Sequence, residues 1–218
     1  MDSEPAPPVM GAACREPLTW ESGKSRHVQV NLRAPRRLGA QRTVRSNLTT
    51  KSTVEKMNGT QFDSLRGQVR GQIITPGDAG YDAARAVFNG MIDKRPAAVA
   101  QVSQVADVIS CVNFARDNSL DLAVRGGGHS APGFGTWDDA LVIDFSNMTG
   151  VRVDPAAATA RAEAGATWTD FNHATHAFGL ATPGGIVGST GIAGLTLGGG
   201  IGYLSRKYGL SCDNLLSA

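Results

Sequence analysis

Arg125-Gly126-Gly127-Gly128-His129-Ser130 is the stretch that decides how this chain folds and what it can bind. It follows the apolar run Leu122-Ala123-Val124, which is typical of the end of a β-strand. Three consecutive glycines carry no Cβ, so the backbone can adopt positive φ and let another group approach closely. Successive N–H groups in such a turn form a concave nest that suits a phosphate or pyrophosphate. His129 stands at the rim, where an imidazole can act as nucleophile, base or ligand. On these residues alone, a tight surface turn is the alternative.

A second glycine-rich stretch runs from Pro183 to Gly202. Nine of its twenty residues are glycine, and the others are mostly Ile, Val and Leu rather than the polar residues of a flexible linker. We therefore expect an ordered, buried backbone that lies close to something large. A glycine-rich, aggregation-prone edge is the alternative.

Taken together, these stretches resemble the FAD-linked oxidases of the berberine bridge enzyme-like group, within the vanillyl-alcohol oxidase/p-cresol methylhydroxylase flavoprotein superfamily. The matching segments are RGGGHS at 125–130, LVIDFSNM at 141–148, GIAGLTLGGGIG at 191–202 and RKYGL at 206–210. The resemblance covers residues 62–218. It implies an α+β fold in which a small parallel βαβ subdomain joins a mixed sheet with helices, incomplete at the C-terminus.

The resemblance also implies how the cofactor FAD is held. In that family the histidine matching His129 carries the flavin through an 8α-histidyl bond, and the preceding glycines cradle the pyrophosphate. Many members attach the flavin a second time through a cysteine; Val187 stands at that position here, so a single covalent bond is implied. The cofactor-binding residues implied by the motifs are Arg125, Gly126, Gly127, Gly128, His129, Ser130, Phe134, Gly185, Gly188, Ser189, Thr190, Gly191, Gly194, Leu195, Gly198, Gly199, Gly200 and Gly202.

The chemistry implied by the resemblance is a two-electron oxidation. A substrate C–H gives hydride to the flavin and O2 reoxidises it, with a small-molecule substrate such as a sugar, an alcohol or a secondary metabolite. In the family the base comes from the substrate domain or the C-terminal end, so no catalytic residue is assigned here. We expect the 218-residue chain by itself to be inactive. The alternative is a non-catalytic flavin- or nucleotide-binding module, or a degenerate remnant that binds nothing.

Other glycine motifs do not fit. A Rossmann fingerprint needs a helix directly after G-x-G-x-x-G, whereas Pro132, Gly133 and Gly135 follow this loop. A P-loop needs G-x-x-x-x-G-K-S/T; Gly23-Lys24-Ser25 occurs, but Leu18 stands where the first glycine is needed. The serine-hydrolase elbow needs G-x-S-x-G, and Val187 occupies the first glycine position before Ser189.

Charge divides the chain. Residues 1–56 hold ten Lys/Arg against five Asp/Glu, while residues 57–218 hold eleven against fourteen. The first part lacks periodic apolar residues, so we expect a disordered basic tail there, a nucleic-acid arm being the alternative. A lead-in segment at 57–95 and the FAD-binding domain at 96–218 follow. We see no secretory signal and no apolar run near eighteen residues, so we expect a cytoplasmic protein without membrane or nucleic-acid partners.

Periodicity predicts the elements around the first glycine loop. Strands at 97–102 and 120–125 flank a helix, and this order predicts a right-handed crossover with a parallel strand pair. Cys111 is expected in the core. A helix at 81–89, with Asp78 as its cap, precedes them. The face of the central helix that should be buried is marked by Val105, Val108, Ile109, Val112 and Ala115.

Further along, a strand at 140–145 precedes an antiparallel hairpin formed by the alternating segments 151–154 and 159–164. Thr167 and Asp170 form the capping box of a helix that runs to Phe178 and is closed by Gly179. His173 and His176 lie at a spacing that suits a metal, but no third ligand completes a site, so we expect solvent-facing histidines and no metal. Packing or cofactor contact is expected for Tyr203 and Tyr208.

Overall fold

The computed structural model describes residues 29–32 and 59–218. These residues form two four-stranded sheets with helices packed against them. The strands are β1 Gln29–Leu32, β2 Gln72–Ile74, β3 Ala98–Gln101, β4 Leu122–Arg125, β5 Leu141–Asp144, β6 Val151–Asp154, β7 Thr159–Ala162 and β8 Leu215–Ser217. The α-helices are α1 Asp63–Arg66, α2 Tyr81–Arg85, α3 Val105–Asp117, α4 Trp168–His176, α5 Ile192–Leu197 and α6 Ser205–Tyr208, with 3-10 turns at Gly59–Phe62 and Cys212–Asn214. No helix of this described part is long and apolar enough to cross a membrane.

The first sheet has the order β2-β3-β5-β4. Strands β3, β5 and β4 are parallel, and β2 joins the edge antiparallel to β3. The predicted crossover from β3 through α3 to β4 is present, but the two strands are not neighbours, because β5 lies between them. All four residues of β5 are buried, as expected for a central parallel strand covered on both faces.

Helix α3 forms as predicted, but its buried face matches the prediction only in part: Ala115 is buried and Val108 is half-buried, as expected. Val105, Ile109 and Val112 are exposed, whereas Asp107, Cys111 and Phe114 are buried. The predicted burial of Cys111 is confirmed, and burial raises the pKa of its thiol to about 11. The apolar spacing predicts part of the buried face incorrectly because the helix also buries a carboxylate.

Asp107 is that carboxylate, and its surface is wholly buried. Its two oxygens accept hydrogen bonds from the backbone N–H groups of Arg70, Gly71 and Ser103 at 3.0–3.1 Å, and from the side chains of Ser103 and Gln104. Burial alone would raise the pKa of Asp107, but these donors favour the ionised form and lower it to about 2. Asp107 thereby fastens the segment before β2 to the start of α3.

We expect Asp107→Asn to remove a pH-dependent part of the stability. The folded pKa lies below the ordinary value of 3.8, so the contribution is complete above about pH 4 and is lost as the pH falls through the folded pKa. It amounts to about 2 kcal/mol. Urea unfolding at pH 7 and pH 2.5 measures it: the gap between wild type and Asp107→Asn should narrow at the lower pH. The exposed Asp117→Asn variant of the same helix should change the free energy of unfolding by less than about 0.5 kcal/mol at pH 7. A gap of constant size would contradict the prediction.

The second sheet has the order β6-β7-β1-β8. The predicted antiparallel hairpin is confirmed as β6 and β7. Strand β1 pairs in parallel with β7 and β8, so the expected disorder is wrong for residues 29–32. The rest of the predicted disordered tail lies outside the described residues. The four-residue alternation Gln-Val-Asn-Leu is too short to stand out as a pattern, and it is the open edge of β7 that gives these residues a partner.

Helices α4 and α2 differ in how well the sequence predicts their ends. In α4, Thr167 and Asp170 form the predicted capping box, and Gly179 closes the C-terminal turn at φ 65°. That helix ends at His176, two residues before Phe178. Helix α2 ends at Arg85 instead of Asn89, and Asp78 is not its side-chain cap. The Asp78 carboxylate instead accepts hydrogen bonds from the backbone N–H and hydroxyl of Thr75, which lower its pKa.

Candidate functional site

The first glycine loop starts where β4 ends, beside the end of β5. There Arg125 and Asp144 are register partners, and a 2.9 Å ion pair joins Arg125 Nη2 to Asp144 Oδ2. Both side chains are buried. The guanidinium also donates to the carbonyl oxygens of Ala84 and Ala86. The Arg125 side chain therefore anchors the loop and the lead-in segment. Because this side chain is engaged within the protein, the predicted contact of Arg125 with a cofactor stays a prediction that concerns its backbone.

The two glycine-rich stretches meet backbone to backbone at Gly127 and Gly191. A Cβ on Gly127 would overlap the amide nitrogen of Gly191 and lie 2.7 Å from its Cα; a Cβ on Gly191 would lie 2.9 Å from the Cα of Gly127. The second stretch is held there by the Trp168 N–H, which donates to Thr190 O, and by the Ile192 N–H, which donates to Ala166 O. The expectation of an ordered backbone with a close neighbour is confirmed, and part of that neighbour is the other glycine loop.

His129 lies where the two stretches come together. Its Nε2 is 3.2 Å from Ser189 Oγ, and its Nδ1 is 3.4 Å from Thr190 Oγ1. The ring of Phe88 stacks on the imidazole with centroids 4.0 Å apart and an interplanar angle of 15°. The imidazole is half-buried. Predicted site residues separated by sixty positions are thus brought within hydrogen-bonding distance.

The loop backbone provides a set of free donors. Five consecutive amide N–H groups, Gly126 to Ser130, donate to no oxygen of the residues that the structure describes. Gly128 adopts a left-handed conformation at φ 70° inside this run. Unengaged successive amides in such a turn are the donor set of an anion-binding nest. These residues therefore fit the pyrophosphate of a dinucleotide, with His129 at the edge.

Several other glycines that were predicted to bind the cofactor contact parts of the protein other than the loop at 125–130. Gly185 packs against the indole of Trp168, as does its neighbour Gly184, which was not among the predicted site residues. Gly199 O and Gly200 O accept hydrogen bonds from the N–H groups of Cys212 and Ser211. The backbone of Gly202 lies against Gly184 O. A Cβ on Gly194, in contrast, would meet nothing within 4 Å.

Large apolar side chains on and near the second stretch face outward. Ile192 of this stretch is buried and Leu195 is half-buried, whereas Ile186 and Leu197 are more than half exposed. Ile201 and Tyr203 are also exposed, and because Tyr203 is 85% exposed, of the packing or cofactor contact expected for it only the cofactor contact stays a prediction. Exposed large apolar side chains that are close together in sequence are typical of a surface that binds a ligand or another part of a protein. Phe134 is also exposed, on the loop that follows Ser130.

The histidines of α4 do not belong to the site. His173 and His176 are both exposed, as predicted. Within residues 29–32 and 59–218, no group of three or more His, Cys, Asp or Glu side chains could hold a metal ion.

Sequence reasoning missed two residues of the site. Asp144 ends a fully buried strand in register with Arg125, and a lone carboxylate at the end of an apolar strand is a signal that points to a partnered charge. Phe88 carried no such signal. Its stacking on His129 joins residues that only the tertiary structure brings together.

Comparison with known proteins shows the family to which the chain belongs. Residues 96–218 match a family described as "FAD binding domain". The chain is 37% identical over 150 residues to (R)-6-hydroxynicotine oxidase of Paenarthrobacter nicotinovorans, covering 69% of this chain and 33% of that protein. It is 34% identical over 136 residues to berberine bridge enzyme-like 14 of Arabidopsis thaliana, covering 60% of this chain and 26% of that protein.

Solved structures show the same relationship. 6-Hydroxy-D-nicotine oxidase from Arthrobacter nicotinovorans matches with a TM-score of 0.65 and 36% identity, over 66% of this chain and 32% of that one. The chain thus spans a quarter to a third of the length of the relatives that it matches.

Proposed function

The chain belongs to the FAD binding domain family, among the berberine bridge enzyme-like FAD-linked oxidoreductases, and from this we propose that it is the cofactor-holding part of an FAD-dependent oxidase. In this proposal the loop at 125–130 binds the pyrophosphate and His129 carries the flavin covalently. The substrate is a small molecule of the sugar, alcohol or secondary-metabolite class, since one relative is named for oxidation of hydroxynicotine.

The observation that carries the proposal is the run of five unengaged amide N–H groups from Gly126 to Ser130 with His129 inside it. Backbone donors suit the pyrophosphate because they bring no side chain between the ligand and the loop. Gly127 and Gly191, in direct contact, fix the distance between this loop and the second stretch.

When bound, FAD supplies the two-electron redox chemistry, and the protein positions it and tunes its potential. The role of this chain in that chemistry is to hold His129 at a defined place. Its two ring nitrogens face the hydroxyls of Ser189 and Thr190, and in a neutral imidazole one nitrogen donates while the other accepts. A flavin bonded at one ring nitrogen would replace the hydroxyl contact there, while the hydroxyl at the other nitrogen would keep its contact and hold the ring in place. Val187, more than half exposed, offers no atom for a second bond.

We expect flavin to stay on the chain after denaturation. The test is to express the protein with FAD, denature it in acid, separate it on a gel and record flavin fluorescence in the band. His129→Ala should abolish the fluorescence, and His173→Ala, which removes an exposed histidine of α4, should keep it. Fluorescence that survives His129→Ala would contradict the assignment.

Mass spectrometry of the flavin-bearing peptides tests the number of bonds. A single modified peptide, the one that contains His129, is expected. Flavin on a peptide with Cys111 or Cys212 would contradict single attachment.

A further inference from the structure

Residues 84–89 of the lead-in segment contact the site through the ring of Phe88, which lies on the face of the His129 imidazole. We propose that Phe88 is a positioning residue: it holds the imidazole plane in the orientation that flavin attachment needs. The part of this inference that concerns attachment rests on the proposed function. The part that concerns the orientation of the ring does not.

The segment that carries Phe88 is fastened to the glycine loop at several points. The Phe88 N–H donates to Gly128 O at 3.2 Å, and Asn89 Nδ2 donates to Ala131 O at 3.1 Å. On the other side, the buried guanidinium of Arg125 donates to the carbonyl oxygens of Ala84 and Ala86. The residues just before Phe88 and just after it are therefore tied to the loop that carries His129. This places the two rings in a fixed relation.

Core packing does not explain where Phe88 lies, because its side chain is 70% exposed. Its one ring contact among the described residues is the stack on His129. A phenyl ring on one face restricts rotation of the imidazole out of its plane, while Ser189 and Thr190 meet the ring nitrogens at its edge. Face and edge contacts together leave one ring orientation. Fixing a reacting group in this way removes an orientational cost from a bond-forming step.

The first test needs no flavin. In the 218-residue chain, the phenyl ring shields the carbon-bound imidazole protons of His129, so Phe88→Leu should move their NMR resonances downfield. Phe88→Tyr keeps a ring of the same shape and should preserve the wild-type positions. Phe178→Leu changes another exposed phenylalanine, at the end of α4, and is the matched control. Unchanged His129 resonances in Phe88→Leu would overturn the inference.

A second flavin-free measurement is the rate at which diethyl pyrocarbonate modifies His129, followed on its peptide by mass spectrometry. Phe88→Leu should raise this rate because the imidazole loses the cover of one face, and Phe88→Tyr should restore the wild-type rate. Equal rates in wild type and Phe88→Leu would overturn the inference. Thermal melting of each variant confirms that it is folded, and the high exposure of Phe88 predicts little change in Tm.

The third measurement is the initial rate of covalent flavin incorporation at saturating FAD. Phe88→Leu should slow it by about 3- to 10-fold, the weight of one aromatic pair, with Phe88→Tyr restoring it. An unchanged rate in Phe88→Leu would show that the stack does not position His129 for attachment. A wild-type chain that shows the shielded resonances but takes up no flavin would contradict the proposed function, and it would leave the orienting role of Phe88 supported.

Discussion

We expect Asp144→Asn and Arg125→Met each to lower the free energy of unfolding by about 3–5 kcal/mol, since each leaves its partner as an uncompensated buried charge. The pair is joined at 2.9 Å and both side chains are almost fully removed from water. Asp144 also accepts hydrogen bonds from the N–H and the hydroxyl of Ser146. Arg125→Met loses in addition the two hydrogen bonds to the lead-in segment. Urea unfolding at pH 7 measures both variants.

A double variant and a surface control make this expectation specific. Arg125→Met combined with Asp144→Asn should cost less than the sum of the two single changes, because it leaves no unpaired charge. Arg116→Met makes the same side-chain change in the exposed pair with Asp117 and should cost less than about 1 kcal/mol. Additive single effects, or a loss at Arg116 as large as that at Arg125, would contradict the role given to the buried pair.

The residues of the candidate site could be proposed from the sequence because they form local patterns. Glycine triplets, a histidine beside them and a second glycine-rich stretch each restrict the backbone directly, and the structure brings His129, Ser189 and Thr190 together. The capping box of Thr167 and Asp170 was predictable for the same reason: all its atoms come from four consecutive residues.

The buried face of α3 was predictable from apolar spacing only for Ala115, which is buried, and Val108, which is half-buried. Val105, Ile109 and Val112 fit a helical stripe, yet the core takes Asp107 and Cys111 from the same helix. The reason lies outside the helix, in the amide groups of Arg70 and Gly71, which need the Asp107 carboxylate as an acceptor. A burial preference set by a partner 36 or 37 positions away leaves no mark on local periodicity.

Strand order shows the same limit. Strand, helix, strand predicts that β3 and β4 are parallel, which is confirmed, but it does not say how many strand positions the crossover spans. Strand β5 takes the place between them, and this is what aligns Asp144 with Arg125. The buried ion pair depends on this placement. The sequence alone therefore predicts the binding loop but not the residues that hold it in place.

The contact between Gly127 and Gly191 leads to the second large effect. Gly127→Ala and Gly191→Ala should each destabilise the fold by about 3 kcal/mol, the upper end for overpacking. In both cases the new Cβ meets backbone atoms of the opposite loop, and backbone atoms cannot rotate aside as a side chain can. The loops must separate instead. That movement would carry His129 away from the hydroxyls of Ser189 and Thr190.

Gly194→Ala is the matched control from the same stretch, where a Cβ would meet nothing within 4 Å. Because Gly194 lies inside α5, alanine should stabilise the chain by about 0.5–1 kcal/mol. Thermal and urea unfolding of the three variants should therefore give effects of opposite sign within one glycine-rich run. If Gly127→Ala were as stable as wild type, the two loops would have room between them. The direct backbone contact between Gly127 and Gly191, which sets the distance between the two loops of the proposed FAD site, would then not exist.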